Sequence, residues 1–235
     1  VHKPLSPLTE SYRLIRSGIL LSSAEHPPKT ILTTSMGPKE GKTSTTLNLA
    51  RILVQNKMKV LVMDCDMRRP RLHTIFDMPN DVGLSNYLSG TTKENILHTI
   101  PGGDITIIPA GSIPPNPAEL LSSKKMKLLL TKMAEVYDHV FLDSPPIQSV
   151  TDALTLSTMV DGTIVVVRAG KTTYEMLESG LKKLHDVQSN ILGFVLNARR
   201  KRDSMTGYYS GSGYGYGYGY SKYYAKDAKS EETKS

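Results

Sequence analysis

TILTTSMGPKEGKTSTTLNLA, residues 30–50, is the stretch on which the fold turns. It opens on six β-branched, apolar and small residues, which read as a strand, Thr30 to Ser35. A loop with two glycines and a proline follows, and then a helical pattern from Thr43 to Gln55. Gly41-Lys42-Thr43 sits where strand passes into helix. Backbone N–H groups there have no partner within the helix and point at an anion. Residues of this type suit a phosphate: Lys42 reaches β- and γ-oxygens, and the Thr43 hydroxyl ligates Mg²⁺. The general pattern G-x-x-x-x-G-K-[ST] wants its first glycine where this chain has Met36; Gly37 comes one place late, with Pro38 after it.

Working outward, five more runs read as buried strands: residues 59–66, 104–111, 139–145, 162–170 and 191–197. Several are continuously apolar rather than alternating, as strands covered on both faces are. Helical stretches lie between them, among them Leu120–Tyr137 and Tyr174–Gln188. The alternation predicts an α/β fold, a doubly wound, mostly parallel sheet with helices on both faces. Ligands in such sheets bind at the carboxyl ends of the strands. The carboxylates fall there. Asp64 and Asp66 close the second run in VLVMDCDMRRPRL, two apart and so expected on one strand face. Two carboxylates held together repel unless a cation sits between them. Asp143 closes the run VFLDSPP and has the setting of a Mg²⁺-holding acid. Arg68, Arg69 and Arg71 follow Asp66, and one of them is placed to meet γ-phosphate charge or to form a salt bridge with a neighbour. Cys65, between the two aspartates, is expected to point into the core.

The chain has 235 residues and a net charge of +7. That suits one large domain with a tail. One cysteine allows no internal disulfide and fits a reducing compartment. The six histidines show no metal-ligand spacing, no apolar run approaches a membrane span, and no signal peptide is visible. A first residue of Val1 rather than methionine fits a processed chain or a piece of a longer protein. A helix over Ser6–Ser22 precedes the first strand and sets Glu10, Arg13 and Arg16 along one face. From Ala198 the chain carries eight Lys/Arg against four Asp/Glu, beginning with Arg199-Arg200-Lys201-Arg202. Then comes GYYSGSGYGYGYGYSKYY, 207–224, with eight of the twelve tyrosines: Tyr208, Tyr209, Tyr214, Tyr216, Tyr218, Tyr220, Tyr223 and Tyr224. Glycine at that density, without aliphatic residues, does not build a core. The remaining four, Tyr12, Tyr87, Tyr137 and Tyr174, are expected to pack.

The ensemble resembles the cytoplasmic domain of bacterial tyrosine kinases of the capsule and exopolysaccharide type. SMGPKEGKT (35–43) is similar to their modified Walker A, LVMDCDMR (61–68) to their Walker A′ and VFLDSPP (140–146) to their Walker B. Glu10-x-x-Arg13-x-x-Arg16 and the terminal tyrosine cluster match too, with weaker similarity in GLSNYLSG (83–90) and PAGSIPPNPAELLSS (109–123).

The resemblance implies a P-loop NTPase fold of the ParA/MinD-like type and three parts. These are an oligomerisation helix in 1–29, a kinase domain over 30–198 and a disordered basic, tyrosine-rich tail over 199–235. It implies ATP and Mg²⁺ as cofactors. Gly37, Pro38, Lys39, Glu40, Gly41, Lys42, Thr43 and Ser44 would cradle phosphate, and Asn197 would meet adenine. Thr43, Asp66 and Asp143 would hold the metal, and Lys42, Arg68, Asp64 and Asp66 would serve catalysis. Asp64 is the first candidate for base and Asp66 the second. The tail tyrosines would accept phosphoryl groups between subunits of a ring, an octamer being one size, held through Glu10, Arg13 and Arg16. Implied partners are a membrane modulator domain in cis or in trans, a phosphotyrosine phosphatase and polysaccharide-synthesis proteins, at the inner face of the cell membrane. No nucleic acid is expected. Two rivals share the fold or the tail: a ParA/MinD-like ATPase switch, whose extra loop lysine is here Gly37, and a nucleotide-binding assembly factor with a self-associating tail.

Overall fold

A computed structural model of the chain describes residues 6–198 apart from 24, 26, 94 and 101–104. The expected tail, with its eight tyrosines and basic run, lies outside the described residues. Seven strands form one sheet: β1 Thr30–Ser35, β2 Val60–Asp64, β3 His98–Thr99, β4 Ile105–Ile108, β5 His139–Asp143, β6 Gly162–Arg168 and β7 Ile191–Asn197. Their order is β3-β4-β2-β5-β1-β6-β7, and every pair is parallel except β3 with β4. Six of the seven strands stand where the apolar runs predict them. The two-residue β3 carries no pattern of its own.

The helices are α1 Pro7–Leu20, α2 Lys42–Val54, α3 Leu72–Ile75, α4 Leu84–Ser89, α5 Pro117–Ser122, α6 Lys124–Val136, α7 Asp152–Ser157 and α8 Tyr174–Asp186. Strand side chains alternate between two apolar layers. Ile31, Val60, Val62, Ile107 and Phe141 meet Leu49 and Leu53 of α2 and Tyr12 and Ile19 of α1. Leu32, Leu61, Met63, Val140 and Leu142 meet Leu84, Leu121, Met126 and Leu130 on the other side. This two-sided burial explains why the runs are apolar throughout. Each such side chain contributes ~1.5–3 kcal/mol by leaving water. A third cluster joins Met36 and Val165 to Leu184 of α8.

The expected helix 120–137 is two helices. Ser123 is extended (φ −68°, ψ 153°), and its hydroxyl accepts from the Met126 amide at 3.2 Å, which caps a new start. Pro117 starts α5 in the first turn, where its missing N–H costs nothing. Ser6 caps α1 in the same way, accepting from the Thr9 amide at 3.1 Å. α1 therefore packs on the core through Tyr12 and Ile19, while Glu10 and Arg13 pair at its surface, 3.3 Å apart.

Candidate phosphate and metal site

The loop between β1 and α2 is built to keep an unusual backbone. Gly41 caps α2 at φ +98°, with no side chain to satisfy the helix's first amides. Lys39 sits at φ +62°, a left-handed conformation uncommon outside glycine. The positive φ requires glycine at 41, and a Cβ there would also displace Asn197 Nδ2, which it would approach to 2.0 Å. Met36, in place of the pattern's first glycine, is fully buried. It fits against Gly180 of α8, where a Cβ would come within 2.1 Å of its sulfur. Glu40 is buried as well. Its Oε2 accepts from the Met36 amide at 3.0 Å and its Oε1 from the Thr172 hydroxyl at 2.7 Å. Its carboxylate thus braces the loop from within.

Strand order brings the other motifs to this loop. β5 lies between β2 and β1, and the register pairs Asp143 with both Asp64 and Thr33. Thr43 Oγ1 donates to Asp143 Oδ2 at 2.6 Å. Asp143 Oδ1 is buried and has no hydrogen-bond partner among the described residues. Burial pushes this carboxyl up to about 7; Asp64 and Asp66 push the same way, against Lys42 and the Thr43 hydroxyl. An orphaned buried oxygen beside a hydroxyl fits a hydrated cation held by Thr43, with Asp143 ordering its water shell. Among the described residues no three His, Cys, Asp or Glu side chains form a cage of their own. Mg²⁺ takes one or two carboxylates and completes its shell with phosphate and water.

Asp64 and Asp66 do not share a strand face. β2 ends at Asp64, and Asp66 lies in the turn beyond it. The reason is that Asp64 organises that turn. Its Oδ1 accepts from the Asp66 amide at 3.2 Å, and its Oδ2 from those of Arg71 and Leu72 at 2.9 and 3.0 Å. Burial raises it to about 6, against those amides. Asp66 instead faces Lys42, with Oδ2 3.3 Å from Nζ. Arg68 turns away to Asp152, the fully buried first residue of α7, with Nε–Oδ2 at 2.9 Å and Nη2–Oδ1 at 3.3 Å. It ties the turn after β2 to the segment after β5.

Asn197 Nδ2 donates to the Glu40 carbonyl at 2.9 Å, so this residue also acts on the loop. Cys65 is buried in the core as expected, and burial raises its thiol. Tyr12 is buried, and Tyr87 and Tyr137 pack at the edge of the second layer. Tyr174 does not pack: it is 80% exposed at the first position of α8. Sequence reasoning missed Asp152, Arg168, Lys171 and Thr172. The one signal available was Arg168's place at a strand's carboxyl end, where ligands gather.

A mostly parallel sheet whose first strand runs through a glycine loop into a helix, with carboxylates at the ends of the adjacent β5 and of β2 beyond it, defines a P-loop NTPase. The relatives are narrower than that class. A family model described as "AAA domain" matches residues 39–195. The tyrosine-protein kinase YwqD of Bacillus subtilis is 38% identical over 209 residues, 88% of each chain. The tyrosine-protein kinase etk of Escherichia coli is 34% identical over 210 residues, 89% of this chain and 29% of etk. The solved kinase domain of E. coli ETK superposes with a TM-score of 0.82 at 32% identity, covering 93% of this chain and 83% of that one. The chain belongs to the bacterial tyrosine-protein kinases. McdA of Cyanothece, 20% identical with a TM-score of 0.63 over 76% of the chain, shares the fold.

Proposed function

We propose that this chain transfers the γ-phosphoryl group of ATP to tyrosines 208–224 of a neighbouring copy, and that the resulting phosphate load regulates capsule or exopolysaccharide synthesis and export. The observation that carries the reading is the double pairing at the loop, Thr43 with Asp143 at 2.6 Å and Lys42 with Asp66 at 3.3 Å. It stands in a chain 38% identical to a tyrosine-protein kinase and ending in eight clustered tyrosines.

Gly37 and residues 39–44 present their amides to the triphosphate, Pro38 having no N–H to offer, and Lys42 meets its β- and γ-oxygens. Thr43, Asp143 and Asp66 are the residues that would hold Mg²⁺, which would supply neutralisation of phosphate charge. A triphosphate gives Lys42 a stronger partner than Asp66. The Asp66 carboxylate, freed from Lys42, accepts the phenol proton while the tyrosine oxygen bonds to the γ-phosphorus and ADP leaves. Asp64, fully buried with both oxygens on backbone amides, is the weaker candidate for base and the stronger one for shaping the turn. Arg68 serves the site by holding that turn to Asp152. With one Nδ2 hydrogen on the Glu40 carbonyl and Oδ1 accepting from the Ala198 amide at 2.8 Å, Asn197 keeps one N–H and one lone pair for adenine.

In this reading 1–29 supplies the subunit contact, 30–198 the kinase and 199–235 the acceptor segment. Glu10, Arg13 and Arg16 hold copies in a ring. Added phosphates of ~1.5–2 charges each repel one another and loosen the ring. No helix of the described residues is long and apolar enough to cross a membrane. Etk is more than three times the span matched here, whereas YwqD is of similar length, so a membrane modulator fits either in cis or as a separate protein. A phosphotyrosine phosphatase and polysaccharide-synthesis proteins complete the partners, at the inner face of the cell membrane, with no role for nucleic acid.

The test mixes two proteins with Mg²⁺ and labelled ATP. One is Lys42→Met with its tail intact; the other is active but carries phenylalanine at all eight tail tyrosines. Label on the Lys42→Met tail supports transfer between copies. Label on neither, while each parent binds ATP, refutes it.

A further inference from the structure

The turn joining β6 to α8 contacts the phosphate loop from behind. Arg168 Nη1 donates to the Lys39 carbonyl at 2.8 Å. Lys171 Nζ donates to the Pro38 carbonyl. With Asn197 on the Glu40 carbonyl, three consecutive carbonyls, 38, 39 and 40, each take a donor from the β6–α8 turn or the end of β7. Thr172 closes the arrangement: its hydroxyl accepts from the Arg168 amide at 2.9 Å and donates to Glu40 Oε1 at 2.7 Å.

Peptide geometry gives this a consequence. In a trans peptide the carbonyl of one residue and the N–H of the next point to opposite sides of the chain. Carbonyls 38–40 tied toward the turn leave the amides of Lys39, Glu40 and Gly41 aimed the other way. Consecutive amides around a left-handed residue form an anion-binding concavity, and Lys39 is that residue at φ +62°. A conformation of this kind persists only where its surroundings over-determine it. We propose that Arg168, Lys171 and Thr172 are positioning residues for the nucleotide: they never touch it, but hold the loop's carbonyls off the phosphates and its amides on them. This rests on the nucleotide reading of the loop and adds residues that the motif does not contain. All three lie well over a hundred positions from the carbonyls or carboxylate they hold.

The test uses the full chain, titrated with fluorescent ADP and Mg²⁺, and then assayed for phosphoryl transfer at varied ATP. Arg168→Ala changes an exposed side chain and leaves the apo melting temperature in place. ADP affinity and 1/KM for ATP are expected to fall about tenfold, with kcat reduced less than about threefold, the signature of lost ground-state binding. Thr172→Val does the same, and Thr172→Ser restores binding because it keeps both hydrogen bonds. ADP affinity within about twofold of the parent in both Arg168→Ala and Thr172→Val overturns the proposal, as does a loss confined to kcat. A parent chain that does not bind ADP overturns the nucleotide reading itself, a separate outcome.

Discussion

At the scale of single residues, the site is a set of charges held against their own preference. Asp143 ionises near ~3.9 in an unfolded chain and at about 7 in the fold, because it is buried. Between those values the folded state holds more protons than the unfolded one, so this group's contribution to stability falls as pH rises through the window. Asp64, raised to about 6, adds to the same trend over a narrower range. A bound cation reverses the balance by favouring the carboxylate. In chelator, Asp143→Asn is therefore expected to melt above the parent at about pH 8, with the gap closing toward about pH 5. The same variant should lose Mg²⁺-dependent nucleotide binding. Melting curves that differ by the same amount at every pH would show that Asp143 is not the buried titrating group. The motif residues Lys42, Thr43 and Asp143 were legible because chemistry fixes their types and the strand ends fix their places. Arg168 was not, since it acts on a carbonyl 129 positions away and no local pattern marks that contact.

At the scale of elements, what could be read depended on how many faces were buried. The continuous apolar runs gave six strands because both sheet faces are covered. β3 escaped because a two-residue antiparallel pairing, His98 with Ile107 and Thr99 with Thr106, leaves no periodicity to detect. Asp64 and Asp66 read as a strand pair from spacing alone, yet three backbone amides on Asp64 end the strand there. Ser123 looked like helix interior and proved a cap. The similarity noted in 83–90 and 109–123 also has a structural cause. The amides of Leu84, Ser85 and Ser112 are engaged across the two segments, with Leu84 N donating to the Pro109 carbonyl at 2.9 Å, Ser85 N to the Ala110 carbonyl at 2.8 Å and Ser112 N to Asn86 Oδ1 at 3.2 Å. A Cβ on Gly83 would lie 2.4 Å from both the Gly111 nitrogen and the Pro109 carbonyl oxygen. Backbone cannot step aside as a flexible side chain can. Gly83→Ala is expected to destabilise the fold by ~1–3 kcal/mol, a drop of several degrees in a thermal melt. An unchanged melt would mean that the two segments separate at no cost.

At the scale of the whole molecule, strand order does the assembling. Placing β5 between β2 and β1 brings carboxyl ends from distant parts of the chain to one crevice, where the loop, Asp66 and Asp143 meet. The sheet's class was legible from the strand–helix alternation, but not this adjacency, which depends on long-range pairing. α1, α2 and the sheet share one apolar layer, so the Glu10–Arg13–Arg16 helix is carried on the same core as the phosphate loop. Transfer from ATP to the proposed acceptor tyrosines is tested by incubating the purified chain with Mg²⁺ and ATP, beside Lys42→Met, and reading both by intact and tandem mass spectrometry. Additions of ~80 Da mapping to tyrosines 208–224 and missing from the variant are the predicted result. Steady release of free phosphate with no addition to any tyrosine, even with a membrane modulator fragment supplied, would contradict it.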